Sequence, residues 1–404
     1  KYFRSSCGQI ESAVDPETGV RSWDPLIYVK LVREAVMKPF STLVRIEDCG
    51  VGRTQPCTNA CQAKADDHKC SVALCRAGKA SCSDIRCHGV PSWWDRWYGP
   101  EGRVPGAKAA FAGVAALITP DAVREAITGC AGGKSPGLDG VSIDLLKILI
   151  TDPVGPQAGR APPAAREPPL LCFMADIASL SIQIGRMTPH VTDGLIVMVP
   201  KGPIDGAPDV SDMRPITLLS EIGKVTARIL ADRISAVLCA KPELLNINQR
   251  AFLRNGDVAQ CVAALLDVFE DHLGKKRADP QASLYCVSYD LSKALDSVQE
   301  YSIRASLERF EFPPEIVDYV CSSLWGSKSR VRTRDGPSES FDVLSSVRQG
   351  DPLAPLVFIL VLDVLHCGIE EICLRDGHGV DLGGGVRLGS MGYADDTAIA
   401  ADSE

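Results

Sequence analysis

The clearest helical pattern along the chain begins at Thr119. Val123, Ala126 and Ile127 recur at the three- and four-residue spacing that places side chains on one face of a helix. Thr119-Pro120-Asp121 supplies an N-cap residue, a proline at the first helical position and an acid in the first turn. A helix is therefore predicted to begin there.

Four short runs follow the pattern of strands. Gly194–Lys201 is rich in β-branched residues and ends in a cation. Leu284–Asp290 is largely apolar, which predicts a buried strand with Asp290 emerging at its end. Val386–Met391 and Thr397–Ala400 flank Gly392-Tyr393-Ala394-Asp395-Asp396. This arrangement predicts a hairpin whose tight turn carries two adjacent carboxylates, although an isolated Asp-Asp pair is more typical of an ordinary solvated turn.

The longest apolar run is Leu353–Leu362, which is broken at Pro355 and ended by Asp363. A helix that crosses a bilayer needs about 20 apolar residues. The run therefore predicts a buried core helix, and no membrane partner is expected.

Overall charge does not indicate a nucleic-acid-binding protein. The 404 residues carry a formal net charge of −8, and 23% of them are charged. A surface that binds nucleic acid must therefore be local. Two candidates are Arg250 and Arg254, which lie beside Phe252.

A second candidate surface is a run of alternating cations. At period two, side chains of a strand share one face. This run consists of Lys328, Arg330, Arg332 and Arg334. It predicts either a nucleic-acid patch or a solvated edge strand defended by charge, and the pattern alone leaves both interpretations open.

Half of the sixteen cysteines precede residue 88, and no secretory leader opens the sequence. Thiols or metal ligands are therefore expected rather than disulfides, and an intracellular location is predicted. The candidate zinc ligands are Cys57, Cys61, His68, Cys70, Cys75, Cys82, Cys87 and His88. Their spacing fits no standard zinc finger, so a region of free thiols remains the alternative.

These patterns divide the chain into three predicted parts. Residues 1–100 form an irregular, Cys-rich N-terminal region. Residues 101–280 hold helices and strands, with a Pro-rich insertion at 151–169. Residues 281–404 contain Asp290, Asp395 and Asp396. If two neighbouring strands bring these three carboxylates together, a pair of divalent cations would relieve their mutual repulsion. Such a pair supports in-line displacement at phosphorus.

Tyr393-Ala394-Asp395-Asp396 resembles the YxDD box of reverse transcriptases, in the YADD form of non-LTR retrotransposons. Five other blocks resemble motifs of that family and occur in the family's order. They are Lys134–Gly140 (similar to KSPGPDG), Val199–Lys201 with Arg214–Leu219 (fingers), Gln249–Phe252 (QxGF, with Ala251 for glycine), Asp290–Asp296 (DxxxAFD) and Arg348–Pro355 (RQGDPLSP). Together they span residues 130–400.

The resemblance implies an α+β fold, with the fingers and palm of a right-hand polymerase, an antiparallel palm sheet and packed helices. It implies Asp290, Asp395 and Asp396 as ligands of Mg²⁺ or Mn²⁺, with Zn²⁺ a separate question for the N-terminal region. The implied nucleotide-binding residues are Lys201, Arg214, Lys293, Ala294, Leu295, Gln349 and Gly350. The implied partners are an RNA template, a DNA primer and a dNTP, inside a nuclear ribonucleoprotein of the element.

Two departures from the family pattern favour a second interpretation. Leu295 stands where the family has an aromatic ring that excludes a ribose 2′-OH. Only eight residues follow Asp396, so the family's thumb is expected to be absent. A decayed, inactive fragment or an RNA-binding scaffold is therefore the alternative to a working RNA-directed DNA polymerase.

Overall fold

The structure is a computed structural model. It describes residues 93–402, apart from gaps at 152–167, 203–211, 255, 292, 325–326, 344–345 and 383–386. It also describes a two-stranded pair formed by β1 (Ala13–Val14) and β2 (Arg21–Ser22). All eight candidate zinc ligands, from Cys57 to His88, lie outside the described residues. The cysteines that are described are free thiols, as predicted.

Helices make up about half of the described chain. Those before the first long strand are α1 (Trp93–Tyr98), α2 (Ala107–Phe111), α3 (Pro120–Thr128), α4 (Ile143–Ile150), α5 (Pro169–Gln183) and α6 (Pro189–Thr192). Those that follow are α7 (Glu221–Ala240), α8 (Val258–Ala278), α9 (Ala294–Ser297), α10 (Glu300–Arg309), α11 (Pro314–Leu324) and α12 (Ala354–Asp376). None of these helices is long and apolar enough to cross a membrane.

Side-chain caps fix where several helices begin. The hydroxyl of Thr119 accepts a hydrogen bond from the backbone N–H of Ala122 at 3.2 Å, which confirms the predicted start of α3. Ser142 caps α4 through the N–H of Leu145 in the same way. Such caps satisfy backbone donors that the first helical turn leaves unpaired, and each contributes about 1 kcal/mol.

The main core lies among α3, α5, α7, α10, α11 and α12. Phe111 stacks on Phe312 with ring centroids 4.1 Å apart and meets Phe310 edge-on at 6.3 Å. The predicted apolar helix at Leu353–Leu362 is the first half of α12, and most of its residues are buried. The strands of the candidate site pack against this core.

Two larger sheets stand beside this core. The strands are β3 (Gly194–Pro200), β4 (Met213–Leu218), β5 (Tyr285–Asp290), β6 (Lys328–Thr333), β7 (Gly336–Pro337), β8 (Phe341–Asp342), β9 (Val380–Asp381), β10 (Arg387–Leu388), β11 (Ser390–Tyr393) and β12 (Asp396–Ala401). One sheet has the order β11-β12-β5 and is antiparallel throughout. The other has the order β4-β3-β6-β7, with β8 also on β6, and its β3–β6 pair is parallel. β9 and β10 form a separate pair.

The prediction of a buried strand at Leu284–Asp290 is confirmed for the strand and wrong for its burial. The strand exists as β5, but all six of its residues are exposed. Within the part of the chain that the structure describes, β5 lies at the edge of its sheet and pairs with β12 alone. Apolar composition alone cannot distinguish a central strand from an edge strand, because that difference depends on which distant segments pair with it.

Candidate active site

The turn between β11 and β12 is built from two residues, Ala394 and Asp395, and is closed by the pairing of Tyr393 with Asp396. Ala394 has a φ of +58°, in the left-handed region. Two-residue hairpins require a positive φ at their first turn position, because only primed turns match the twist of the strands. The predicted hairpin is therefore confirmed, with Asp395 at its tip and Asp396 as the first residue of β12.

The register of β12 on β5 brings two predicted site residues together. Asp396 pairs directly with Asp290 across the two antiparallel strands, and both side chains are exposed. Directly opposed residues project to the same face, with Cβ atoms about 4.5–5.5 Å apart. Two like charges in that position are destabilising unless a cation lies between them.

A divalent cation fits this pair. Mg²⁺ is bound through one or two carboxylates together with substrate phosphates and water, rather than by a closed cage of protein ligands. Asp290 and Asp396 present such oxygens at the exposed ends of two neighbouring strands, with Asp395 beside them on the turn. Among residues 93–402 as described, no three His, Cys, Asp or Glu side chains form a metal-binding group by themselves.

Asp296 lies at the centre of the predicted nucleotide-binding residues. It is 7% exposed, and burial raises the pKa of its carboxyl group to about 6. The positive charges of Lys293 and Lys201 and hydrogen bonds from Ser346 and Gln349 act in the opposite direction. The carboxyl group of Asp296 therefore has three predicted nucleotide-binding side chains around it, which come from separate parts of the chain: Lys201, Lys293 and Gln349.

The remaining fingers-side cations lie on and next to β3 and β4. Arg214 is exposed and pairs with Val199, and the backbone N–H of Lys201 donates to Asp212 at 2.8 Å. Ala294, one of the predicted nucleotide-binding residues, donates its backbone N–H to the carbonyl of Leu291 at 3.2 Å. That amide is engaged within the turn that precedes α9.

Gln349 and Gly350 lie directly against β4. The backbone N–H of Thr217 donates to the carbonyl of Gln349 at 2.7 Å. Gly350 has a φ of +120°, and a Cβ at this position would lie 2.4 Å from the carbonyl oxygen of Thr217. Only glycine permits this approach, so its place in the motif has a backbone reason.

Arg348 and Asp351, which flank Gln349-Gly350, are structural. The guanidinium of Arg348 is buried and donates to the carbonyls of Thr192 and Leu324. Burial lowers its pKa to about 10, which still leaves it charged at neutral pH. Burial also raises the pKa of Asp351, whose carboxylate accepts the N–H of Leu353 at 2.8 Å at the start of α12.

The cationic strand has the predicted geometry over most of its length. Lys328, Arg330 and Arg332 are exposed on β6 and alternate with buried residues, whereas Arg334 lies in the turn that follows. Lys328 pairs with Asp342 on β8, so its charge has an acidic neighbour.

Arg254, one of the other predicted nucleic-acid contacts, also has an acidic neighbour. Arg254 forms an exposed ion pair with Asp232 at 3.4 Å, and Arg250 is half-buried. The predicted contacts exposed on a strand are Lys328, Arg330 and Arg332. Arg330 pairs with Leu195 and Arg332 with Pro337, whereas Lys328 pairs with Asp342.

Sequence analysis missed two residues that shape the site. Gln249 is 1% exposed and hydrogen-bonds to the backbone of Ala394. His366 is fully buried, and its ring lies against Gly392, where a Cβ would be 2.5 Å from two ring atoms. Gln249 is the first residue of the block that resembles QxGF, and that resemblance could have identified it as a site residue. Nothing in the local sequence marks His366.

Comparisons with known proteins agree with this geometry. A profile of the family described as reverse transcriptase (RNA-dependent DNA polymerase) matches residues 199–404, about half of the chain. The matched region contains the last two residues of β3, all of β4, the paired strands β5 and β12, and the hairpin turn.

The similar curated proteins are products of mobile elements. The chain is 30% identical over 219 residues to the Retrovirus-related Pol polyprotein from type-1 retrotransposable element R2 of Nasonia vitripennis, covering 54% of this chain and 20% of that protein. It is 29% identical over 258 residues to the corresponding R2DM polyprotein of Drosophila melanogaster, covering 64% and 22%. It is 24% identical over 291 residues to the transposon TX1 uncharacterized 149 kDa protein of Xenopus laevis, covering 70% and 19%. The chain spans about a fifth of the length of these relatives.

Proposed function

The chain belongs to the reverse transcriptases of non-LTR retrotransposons, and on that premise we propose that it extends a DNA primer on an RNA template. In this proposal the primer 3′-OH attacks the α-phosphorus of the incoming dNTP and pyrophosphate leaves. The single observation that carries the proposal is the register that places Asp396 opposite Asp290. That pairing supplies the oxygen ligands that nucleotidyl transfer with divalent cations requires.

Each group of side chains has a distinct proposed part. Asp290, Asp395 and Asp396 would hold Mg²⁺ or Mn²⁺, which when bound lowers the charge of the phosphates and activates the attacking hydroxyl. Lys201 and Arg214 would bind the triphosphate, since fixed cations suit its charge. No zinc is assigned, because the Cys-rich region lies outside the described residues. A nuclear location within an element ribonucleoprotein is part of the same proposal.

The proposal is tested by single-nucleotide extension of a labelled DNA primer on an RNA template with Mg²⁺. Asp396→Asn is expected to reduce extension by at least about 100-fold while the binding of primer–template is retained. Asp267→Asn is the matched control, because Asp267 is an exposed aspartate on α8 and is not among the predicted site residues. Extension by Asp396→Asn at the wild-type rate would refute the assignment.

The cationic strand is the proposed contact for the nucleic-acid backbone. Replacing Arg330 and Arg332 together with Gln is expected to weaken binding and to reduce the slope of log K against log salt by about 1 to 2, since each phosphate contact releases bound counterions. Replacing the exposed Lys108 and Lys241 with Gln is the control for total charge. An unchanged slope in the arginine variant would favour the solvated-edge interpretation.

The alternative function, an inactive RNA-binding scaffold, is favoured by one observation. Leu295 is half-buried and packs against the main core, and no aromatic ring stands in its place. If the chain is an active polymerase, Leu295→Phe is expected to increase discrimination against ribonucleotides in the same extension assay. A scaffold would bind RNA but extend no primer with either residue.

A further inference from the structure

We propose that Gln249 is a positioning residue that fixes the turn between β11 and β12 and thereby places Asp395 and Asp396, an inference that rests on the proposed function. Gln249 lies 145 residues before Ala394 in the chain. Its side chain nevertheless binds the backbone of that turn residue through both of its polar atoms. The Oε1 atom accepts the N–H of Ala394 at 3.0 Å, and the Nε2 atom donates to the carbonyl of Ala394 at 3.1 Å.

This carboxamide is held in a defined orientation. Gln249 is 1% exposed, and its Oε1 atom also accepts the backbone N–H of Ala251 at 3.0 Å. A glutamine has two acceptor sites on its oxygen and two donors on its nitrogen. Three of these four sites are used. Turning the amide over would therefore place its NH2 group against the buried N–H groups of Ala394 and Ala251.

The backbone next to Gln249 is fastened to the same hairpin. The N–H of Gly392 donates to the carbonyl of Asn248 at 2.8 Å, and the N–H of Arg250 donates to the carbonyl of Gly392 at 3.1 Å. This bridge fixes Gln249 relative to β11. Because the backbone of Gln249 is held against β11, its side chain can hold the turn in a fixed position.

The turn needs such support because Ala394 has a φ of +58°. A non-glycine residue in the left-handed region is strained, and it remains there when its surroundings determine it. Strand pairing ends at Tyr393 and Asp396, so it does not hold the two turn residues. The two bonds from Gln249 act on that unpaired position, next to the two carboxylates.

β11 itself is supported from another direction. His366 on α12 packs against Gly392, and its Nδ1 atom lies 3.1 Å from the hydroxyl of Ser390. Loss of the Gln249 side chain should therefore loosen the turn while the strand remains in place. Because a displacement of about 1 Å at a reacting centre can reduce a rate 100-fold, a loosened turn is enough to affect metal binding and catalysis.

The test compares Gln249→Met, which removes all three side-chain hydrogen bonds at similar volume, with Gln249→Glu, which keeps the acceptor but loses the donor. Gln281→Met, at an exposed position, is the matched control. Mn²⁺ binding without nucleic acid is measured by electron paramagnetic resonance of the free ion. Hydrogen exchange of the peptide covering residues 391–396 is measured by mass spectrometry, and single-nucleotide extension is measured as kcat and KM.

For Gln249→Met we expect faster exchange in the 391–396 peptide, Mn²⁺ affinity about tenfold weaker and kcat lower by about 10- to 100-fold. The KM for dNTP and primer–template affinity should stay within about twofold of wild type, and Gln249→Glu should lie between the two. If Gln249→Met does not fold, the same measurements on Gln249→Glu decide.

Unchanged exchange in that peptide, or Mn²⁺ affinity equal to that of wild type, overturns the proposal. A loss of kcat accompanied by an equal loss of primer–template affinity also overturns it, because that pattern indicates general damage. If wild type extends no primer but the variant still exchanges faster and binds Mn²⁺ more weakly, the positioning role stands and the proposed polymerase function fails.

Discussion

The carboxyl group of Asp296 is expected to make folding stability fall as pH rises from about 4 to about 6. Its ordinary pKa of 3.8 is raised to about 6 in the folded protein, with burial as the largest cause. A raised folded-state pKa means that folding favours the protonated form, so this stability is complete below about pH 4 and is lost as pH passes through 6. The interval of about two pH units corresponds to about 3 kcal/mol, at 1.36 kcal/mol per unit.

Asp296→Asn removes this titration while keeping a side chain of the same shape. The difference in free energy of unfolding between variant and wild type should shift in favour of the variant by about 3 kcal/mol between pH 4 and pH 7.5. Urea unfolding at four pH values measures it, and comparing the two proteins at each pH cancels the titration of the other groups. Asp267→Asn, exposed on α8, is the control and should show no comparable shift.

A difference between Asp296→Asn and wild type that does not change with pH would refute this reasoning. It would mean that Lys293 and Lys201 stabilise the ionised carboxylate by as much as burial destabilises it. In that case ionisation of the carboxyl group would cost no free energy on folding, and Asp296→Asn would have the same effect on stability at every pH.

Three further predictions concern the packing around the site. Gly350→Ala should reduce the free energy of unfolding by about 2–3 kcal/mol, because the new Cβ would meet the carbonyl of Thr217; the urea midpoint measures this, and a midpoint equal to that of wild type would contradict it. Arg309→Met should reduce the free energy of unfolding by about 3–5 kcal/mol, because it leaves the buried carboxylate of Asp363 without its ion-pair partner. Adding Asp363→Leu should restore most of that stability. Equal free energies of unfolding for the single and double variants would argue against this prediction. Thr119→Ala should cost about 1 kcal/mol by removing the cap of α3, and Thr119→Ser should restore it in thermal unfolding.

Local sequence was sufficient where a short segment determines its own shape. The hairpin around Asp395 could be predicted because strand-like runs flank a short turn, and the start of α3 because its capping residues are adjacent in sequence. The exposure of β5 could not, because it depends on which strands pair beside it. For the same reason no role for Gln249 could be predicted from the sequence, because its partner Ala394 is distant in the chain.

One loop joins the two halves of the candidate site. On one side, the N–H of Val347 donates to the carbonyl of Leu295 at 2.9 Å, a contact with α9, which closely follows Asp290. On the other side, the carbonyl of Gln349 accepts the N–H of Thr217 on β4, the strand that carries Arg214. The proposed metal-binding and phosphate-binding residues are therefore linked through backbone hydrogen bonds of residues 347–349. Because buried Arg348 holds this loop in place, a change there should disturb both halves together, whereas a change at Gln249 should disturb only the carboxylates.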